Sequence, residues 1–183
     1  PILAVIVLNS TLYDGWRHVF FIYPFFLIIA LYGFAELMNF IKSEKYKKAL
    51  SYVTLSFIVW ITIVMVKNHP YQNVYFNFFA GSNLQQRFEM DYWGLSYKQA
   101  LEYIAENDKS AEINISVQNL PGILNFNMLT PLERERLKWN NNQNVANYFL
   151  TNFRNHPQDF DIGTSVHKIT VDGEKIMEII KLN

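Results

Sequence analysis

The 183-residue sequence has no cysteine. A disulfide framework, a thiolate metal site and a cysteine nucleophile are therefore excluded. It also lacks an excess of either charge, with 16 basic and 16 acidic residues. That balance excludes the basic surface of a nucleic-acid binder and the character of an acidic disordered tail. Charged residues make up only 17% of the chain, below the roughly 25% of ordinary soluble domains. Walker loops, G-x-G-x-x-G, H-E-x-x-H and G-x-S-x-G are all missing. The four histidines, His18, His69, His156 and His167, are scattered without zinc spacing, so no metal ligands are assigned. No internal repeat is visible. What fills the chain is apolar: half its residues are hydrophobic, with 15 Phe, 11 Tyr and 4 Trp.

The averages conceal a division near Lys67. No charge occurs from Val19 to Ala35, nor from Ala49 to Val66. Segments 19–40 and 49–66 each reach about 26 Å over their uncharged run, close to a hydrocarbon core of roughly 30 Å, and are expected to be transmembrane spans. Buried helices of a large soluble protein are the alternative, but these seldom run so far without a polar stripe. Residues 1–8 are too short to cross and fit the end of an upstream helix, so a C-terminal fragment is expected. The first region is thus 1–66 and the second 67–183. Lys42, Lys45, Lys47 and Lys48 crowd the connection between the spans against one Glu44. By the positive-inside rule that connection is cytoplasmic, and residues 67–183 are extracytoplasmic. Pro24 lies about one turn into its span, where its missing N–H costs least.

Residues 67–183 predict a small α/β (α+β) domain. Ser96 and Gln99 suggest a capping box opening a helix with Leu101, Ile104 and Ala105 inward. Alternation of Ile113, Ile115 and Val117 predicts a strand. Thr130-Pro131-Leu132-Glu133 predicts a second boxed helix through Lys138. Residues 147–153 have strand composition, and Asp172-Gly173 between two β-rich runs, 166–171 and 175–182, predicts a hairpin. Two Asn-x-Ser/Thr sequons, at Asn9 and Asn114, carry little information.

Two clusters could carry chemistry. The first is Tyr13-Asp14-Gly15-Trp16-Arg17-His18. Aromatics and an arginine at a span's end serve as interfacial anchors. The functional alternative is that Arg17, His18 and Asp14 meet a phosphate, since arginine presents a planar, permanently charged fork to phosphate oxygens. Tyr13 and Trp16 would flank the substrate. The second cluster runs from His69 and Tyr71 to Asp91, Tyr92 and Trp93. Nine aromatics lie between Tyr71 and Tyr97. They either pack the domain onto the membrane end of a helical bundle or bind sugar and lipid, with rings stacking on apolar sugar faces and carboxylates taking hydroxyls.

The segments LYDGWRHVFFIYP, HPYQNVYFN and FEMDYWGLSYKQALEYI, within residues 12–104, resemble late segments of bacterial integral-membrane glycosyltransferases of the protein mannosyltransferase and lipid A aminoarabinose transferase family. The resemblance implies the end of a multi-span GT-C bundle in the bacterial inner or cytoplasmic membrane. It implies transfer of a sugar from a polyprenyl-phosphate carrier to an acceptor lipid, glycan or protein on the outer face. The family's catalytic carboxylates lie in a first outer loop not contained in this chain, so no catalytic residue is assigned. The partners are membrane lipid and the lipid-linked sugar donor; no further cofactor and no nucleic acid are implied, and the residues specify no metal. The competing readings are a membrane-anchored recognition or docking module without catalysis, and a transporter or flippase fragment.

Overall fold

The computed structural model describes residues 2–12 and 15–182, with the side chains of residues 15 and 16 excluded. The chain divides into two compact units, Pro1–Thr62 and Ile63–Asn183. In the first, α1 (Ile2–Val7) precedes a 3-10 helix, Gly15–His18, and a second 3-10 turn, Phe20–Ile22, that runs into α2 (Tyr23–Phe40). α3 (Glu44–Lys67) follows after a three-residue link and carries the chain across the boundary between the units. Pro24 falls in the first turn of α2, where its fixed φ suits a helix start.

Phe20–Phe40 and Glu44–Lys67 are both long and apolar enough to cross a membrane. None of the residues of α2 or α3 is buried by the protein itself. Thr54 and Thr62 donate their hydroxyls to the carbonyls of Leu50 and Ile58, each at 2.9 Å, so these hydroxyls find partners within the helix. Lys45, Lys47 and Lys48 belong to the first turns of α3 itself, where Lys47 pairs with Glu44 at 3.0 Å.

The second unit adds α4 (Leu84–Arg87), α5 (Ser96–Asn107), β1 (Ile113–Val117), α6 (Leu120–Phe126), α7 (Pro131–Arg136), β2 (Leu137–Trp139), β3 (Tyr148–Thr151), β4 (Gly163–Val171) and β5 (Glu174–Leu182). The five strands form one mixed sheet in the order β2-β1-β3-β5-β4. β1 runs parallel to both β2 and β3, while β5 is antiparallel to β3 and β4.

α5 is built on apolar spacing. Tyr97, Ala100, Leu101, Ile104 and Ala105 recur at i, i+3, i+4, i+7 and i+8 and are all buried. They join Ile113, Ile115, Leu150 and Ile179 in the main core. The register places Ile115 beside Tyr148 and Leu150 beside Ile179, so one sheet face supplies this core. Phe149 and Ile180 are also paired and belong to the opposite face. There the Phe149 ring meets Phe160 edge-on at 5.1 Å.

Three local expectations are corrected. Ser96 and Gln99 do not form a capping box: the Ser96 hydroxyl donates to Asp91, and Gln99 accepts from the Tyr71 hydroxyl. The boxed helix at Thr130 is present, with Thr130 N–H 2.7 Å from Glu133 Oε2, but it ends at Arg136 instead of Lys138. Residues 137–139 pair with β1 because a short parallel edge strand satisfies backbone groups that another helical turn would leave outside the sheet. α6 was not anticipated, since its buried residues are only Gly122, Asn125 and Phe126. The hairpin is present and longer than expected, reaching back to Gly163. Its turn residues Asp172 and Gly173 both have positive φ, 50° and 87°, which selects Asp-Gly.

Candidate functional site

The first cluster sits immediately before an apolar helix. Arg17 and His18 form the last turn of the Gly15–His18 3-10 helix and are exposed, and Phe20 begins the apolar stretch. Tyr13 and Asp14 lie outside the described residues, as does the side chain of Trp16. A guanidinium at this place can offer two parallel N–H donors to one phosphate.

The second cluster is divided by the fold into three environments. Asp91 is buried, with 1% of its surface exposed. Its carboxylate accepts the backbone N–H of Leu95 at 3.0 Å and of Ser96 at 2.9 Å, together with the Ser96 hydroxyl. These are the orphan donors at the start of α5, and a negative charge is favoured there. The Asp91 backbone carbonyl meanwhile takes hydrogen bonds from Gly94 N–H at 2.9 Å and Asn152 Nδ2 at 2.8 Å. This geometry gives Asp91 the work of holding a helix end; the sugar-binding role expected for it finds no accessible oxygen. Gly94 closes the turn at φ 68°, and a Cβ there would stand 2.5 Å from Pro121 Cβ.

Tyr92 and Trp93 form a second group, meeting edge to face at 5.1 Å. The Arg154 guanidinium lies over the Tyr92 ring at 3.8 Å and approaches Glu89 at 3.6 Å. Trp93 is exposed. Tyr92 thus serves a cation–π contact within the fold. Arg154 lies in the connection after β3 and was not indicated by any motif.

Tyr71 lines two adjoining clefts in the second unit, and His69 lines the smaller of them. One, about 410 Å³, is bounded by Pro70, Tyr71, Leu95, Lys98, Gln99, Glu102, Asn125 and Met128. The other, about 360 Å³, is bounded by residues 67–71, Gln99 and 169–172. Both fall within the lower range of small-ligand sites. The His69–Pro70 bond is cis, and a His69 ring nitrogen stands 3.0 Å from Gln72 Nε2. Burial, with the nearby charges of Asp91 and Glu102 adding to it, pushes the Tyr71 hydroxyl up to about 12, so it remains a proton donor at neutral pH. It donates to Gln99 Oε1, and Lys98 pairs with Glu102 at 3.2 Å. The larger cleft therefore combines an aromatic ring, an amide, a carboxylate and an ammonium. Lys98, Gln99 and Glu102 were missed from the sequence. Their spacing, the polar face of an amphipathic helix one residue after an aromatic motif, was the available signal.

Among the described residues no group of three or more His, Asp or Glu could hold a metal ion. No protein-family model, curated protein or solved structure matches the chain.

Proposed function

We propose that the chain is the C-terminal part of a membrane glycosyltransferase that moves a sugar from a polyprenyl-phosphate carrier to an acceptor on the outer face of the membrane. The observation that supports this reading is the place of Arg17, on the turn that leads into an apolar helix of membrane-crossing length. A carrier monophosphate resides at the head-group level of a bilayer, and a guanidinium there binds it in both its charged states. As the sugar leaves, negative charge builds on the carrier phosphate, and a fixed donor pair stabilises that change most strongly. His18 adds a second donor. The Lys42–Lys48 cluster supports an orientation with the sheet unit outside. The cleft at Tyr71, Gln99 and Glu102 suits the acceptor's hydroxyl groups.

The test is transfer of a labelled sugar from a purified polyprenyl-phosphate donor by the full-length membrane enzyme, with insertion measured separately. Loss of transfer in an inserted Arg17→Ala variant supports the reading, and full transfer overturns it. The recognition-module alternative is favoured by the same open cleft and predicts acceptor glycan binding that survives every Arg17 substitution, with no transfer in the parent chain.

A further inference from the structure

We propose that the turn Phe78–Ala80 is an interfacial membrane anchor, inserting its two phenylalanines at the head-group level of an anionic bilayer. The proposal rests on the reading of α2 and α3 as membrane spans.

The aromatic pair is held in the open by the fold itself. Phe78 and Phe79 are 84% and 82% exposed, and their rings touch at a centroid distance of 3.9 Å. The turn that presents them is fixed at both ends. Asn77 Oδ1 accepts Phe79 N–H at 3.1 Å, and Gly81 leaves the turn at φ 76°. From behind, the Arg87 guanidinium donates to the carbonyls of Ala80 and Ser82. Arg87 also lies 5.1 Å from the centre of the Phe88 ring, which stacks at 4.7 Å on Phe76, a side chain packed against the main core. An exposed aromatic pair on a pinned turn loses little conformational freedom when it enters another phase.

The charge pattern selects lipid as that phase. Between Lys67 and Phe88 the sequence has no acidic residue, and Arg87 is the charge held against the turn. Arg87 sits at its base, where an arginine stem lies beside apolar surface and its head meets phosphate. Phenylalanine tips over a cationic base match the layering of acyl chain beneath anionic head group.

The absence of cysteine makes the test direct. Single cysteines at Ser82, Ile58 and Lys138 are labelled with a nitroxide in the full chain, reconstituted in vesicles of phosphatidylethanolamine and phosphatidylglycerol. Collision with oxygen reports lipid, and collision with a water-soluble nickel chelate reports solvent. Ser82 is expected to read several-fold more lipid-exposed than Lys138, and Phe78→Ser with Phe79→Ser should return it to the Lys138 value. Solvent exposure at Ser82 with Ile58 in lipid overturns the anchor alone. Exclusion of both probes at Ser82 also overturns it, because a protein surface then covers the turn. Solvent exposure at Ile58 removes the span reading, and the anchor falls with it.

Discussion

Lys67 Nζ stands 2.7 Å from Asp172 Oδ1, so the last residue of α3 is joined to the turn of the β4–β5 hairpin across most of the sheet unit's sequence. The second oxygen of the same carboxylate accepts from Asn68 Nδ2 at 2.8 Å, and Asn68 is buried. A polar clasp thus ties the end of α3 to the hairpin turn. Asp172→Asn keeps the turn conformation and removes the charge. Because both ions are substantially exposed, the pair itself contributes only about 0.2–1 kcal/mol. Melting of the full chain in detergent should register a loss of that order, which high salt reproduces in the parent.

Gly173 in the same turn has φ 87°, and a Cβ there would meet nothing within 4 Å. Gly173→Ala therefore isolates backbone strain from crowding. A cost of about 1–2 kcal/mol is expected, read as a lowered melting temperature with an unchanged sheet signal. A neutral outcome would show that the turn adopts another type.

Asp91→Ala should act on folding. It strips the buried Ser96 N–H at the start of α5 of its acceptor, at about 1–3 kcal/mol for the unsatisfied group, and the more exposed Leu95 N–H at a smaller cost. The expected result is a less stable chain whose folded fraction transfers or binds normally. Full stability with lost activity would return Asp91 to the substrate.

Acid should destabilise the sheet unit. Asp172 is held below the usual carboxylate range by Lys67 and then Asn68, and Asp159 by Lys175. Asp108 is held down by the Ser110 hydroxyl and backbone. At Glu178 burial pushes the carboxyl up, but the Ser165 hydroxyl, Lys175 and Lys168 outweigh it and the net direction is down. A carboxyl whose folded value lies below its unfolded one contributes stability above about pH 4, which is lost as pH falls through the folded value. Melting temperature should hold from pH 7 to about 5 and then fall. Glu178→Ala should weaken this dependence and cost less than the about 3–5 kcal/mol of an uncompensated buried charge, because Lys175, only 14% exposed, keeps Asp159 as a partner.

Arg17→Ala should lower transfer by about 100- to 1000-fold, roughly 2.7–4 kcal/mol in the barrier, by analogy with removal of one oxyanion donor. Arg17→Lys should fall between, since it keeps the charge and loses the fork. Turnover measured with inserted enzyme and a carrier-linked donor decides it. Equal rates for Lys and Ala would show that the fork, not the charge, does the work.

The two apolar helices, the Thr130 box, the β1 and β3 segments and the Asp-Gly hairpin were legible in the sequence, because each depends on neighbours within a few residues. Charge-free length, S/T-P-x-E spacing and period-two alternation are local signals. Only the tertiary structure decided what Asp91 and Ser96 do. A carboxylate between aromatics looks alike in a sugar site and at a helix end, and the difference is which backbone N–H groups stand within 3 Å of it. β2 and α6 escaped for a similar reason: three residues pair only because β1 offers an edge, and Gly122 is allowed in a helix because a Cβ there would collide with Val117. Tyr71 and Gln99 were brought together by the approach of the chain after α3 to α5, a pairing with no trace in sequence spacing. Local patterns set the elements; long-range burial and backbone hydrogen bonding set which of their side chains remain open to a ligand.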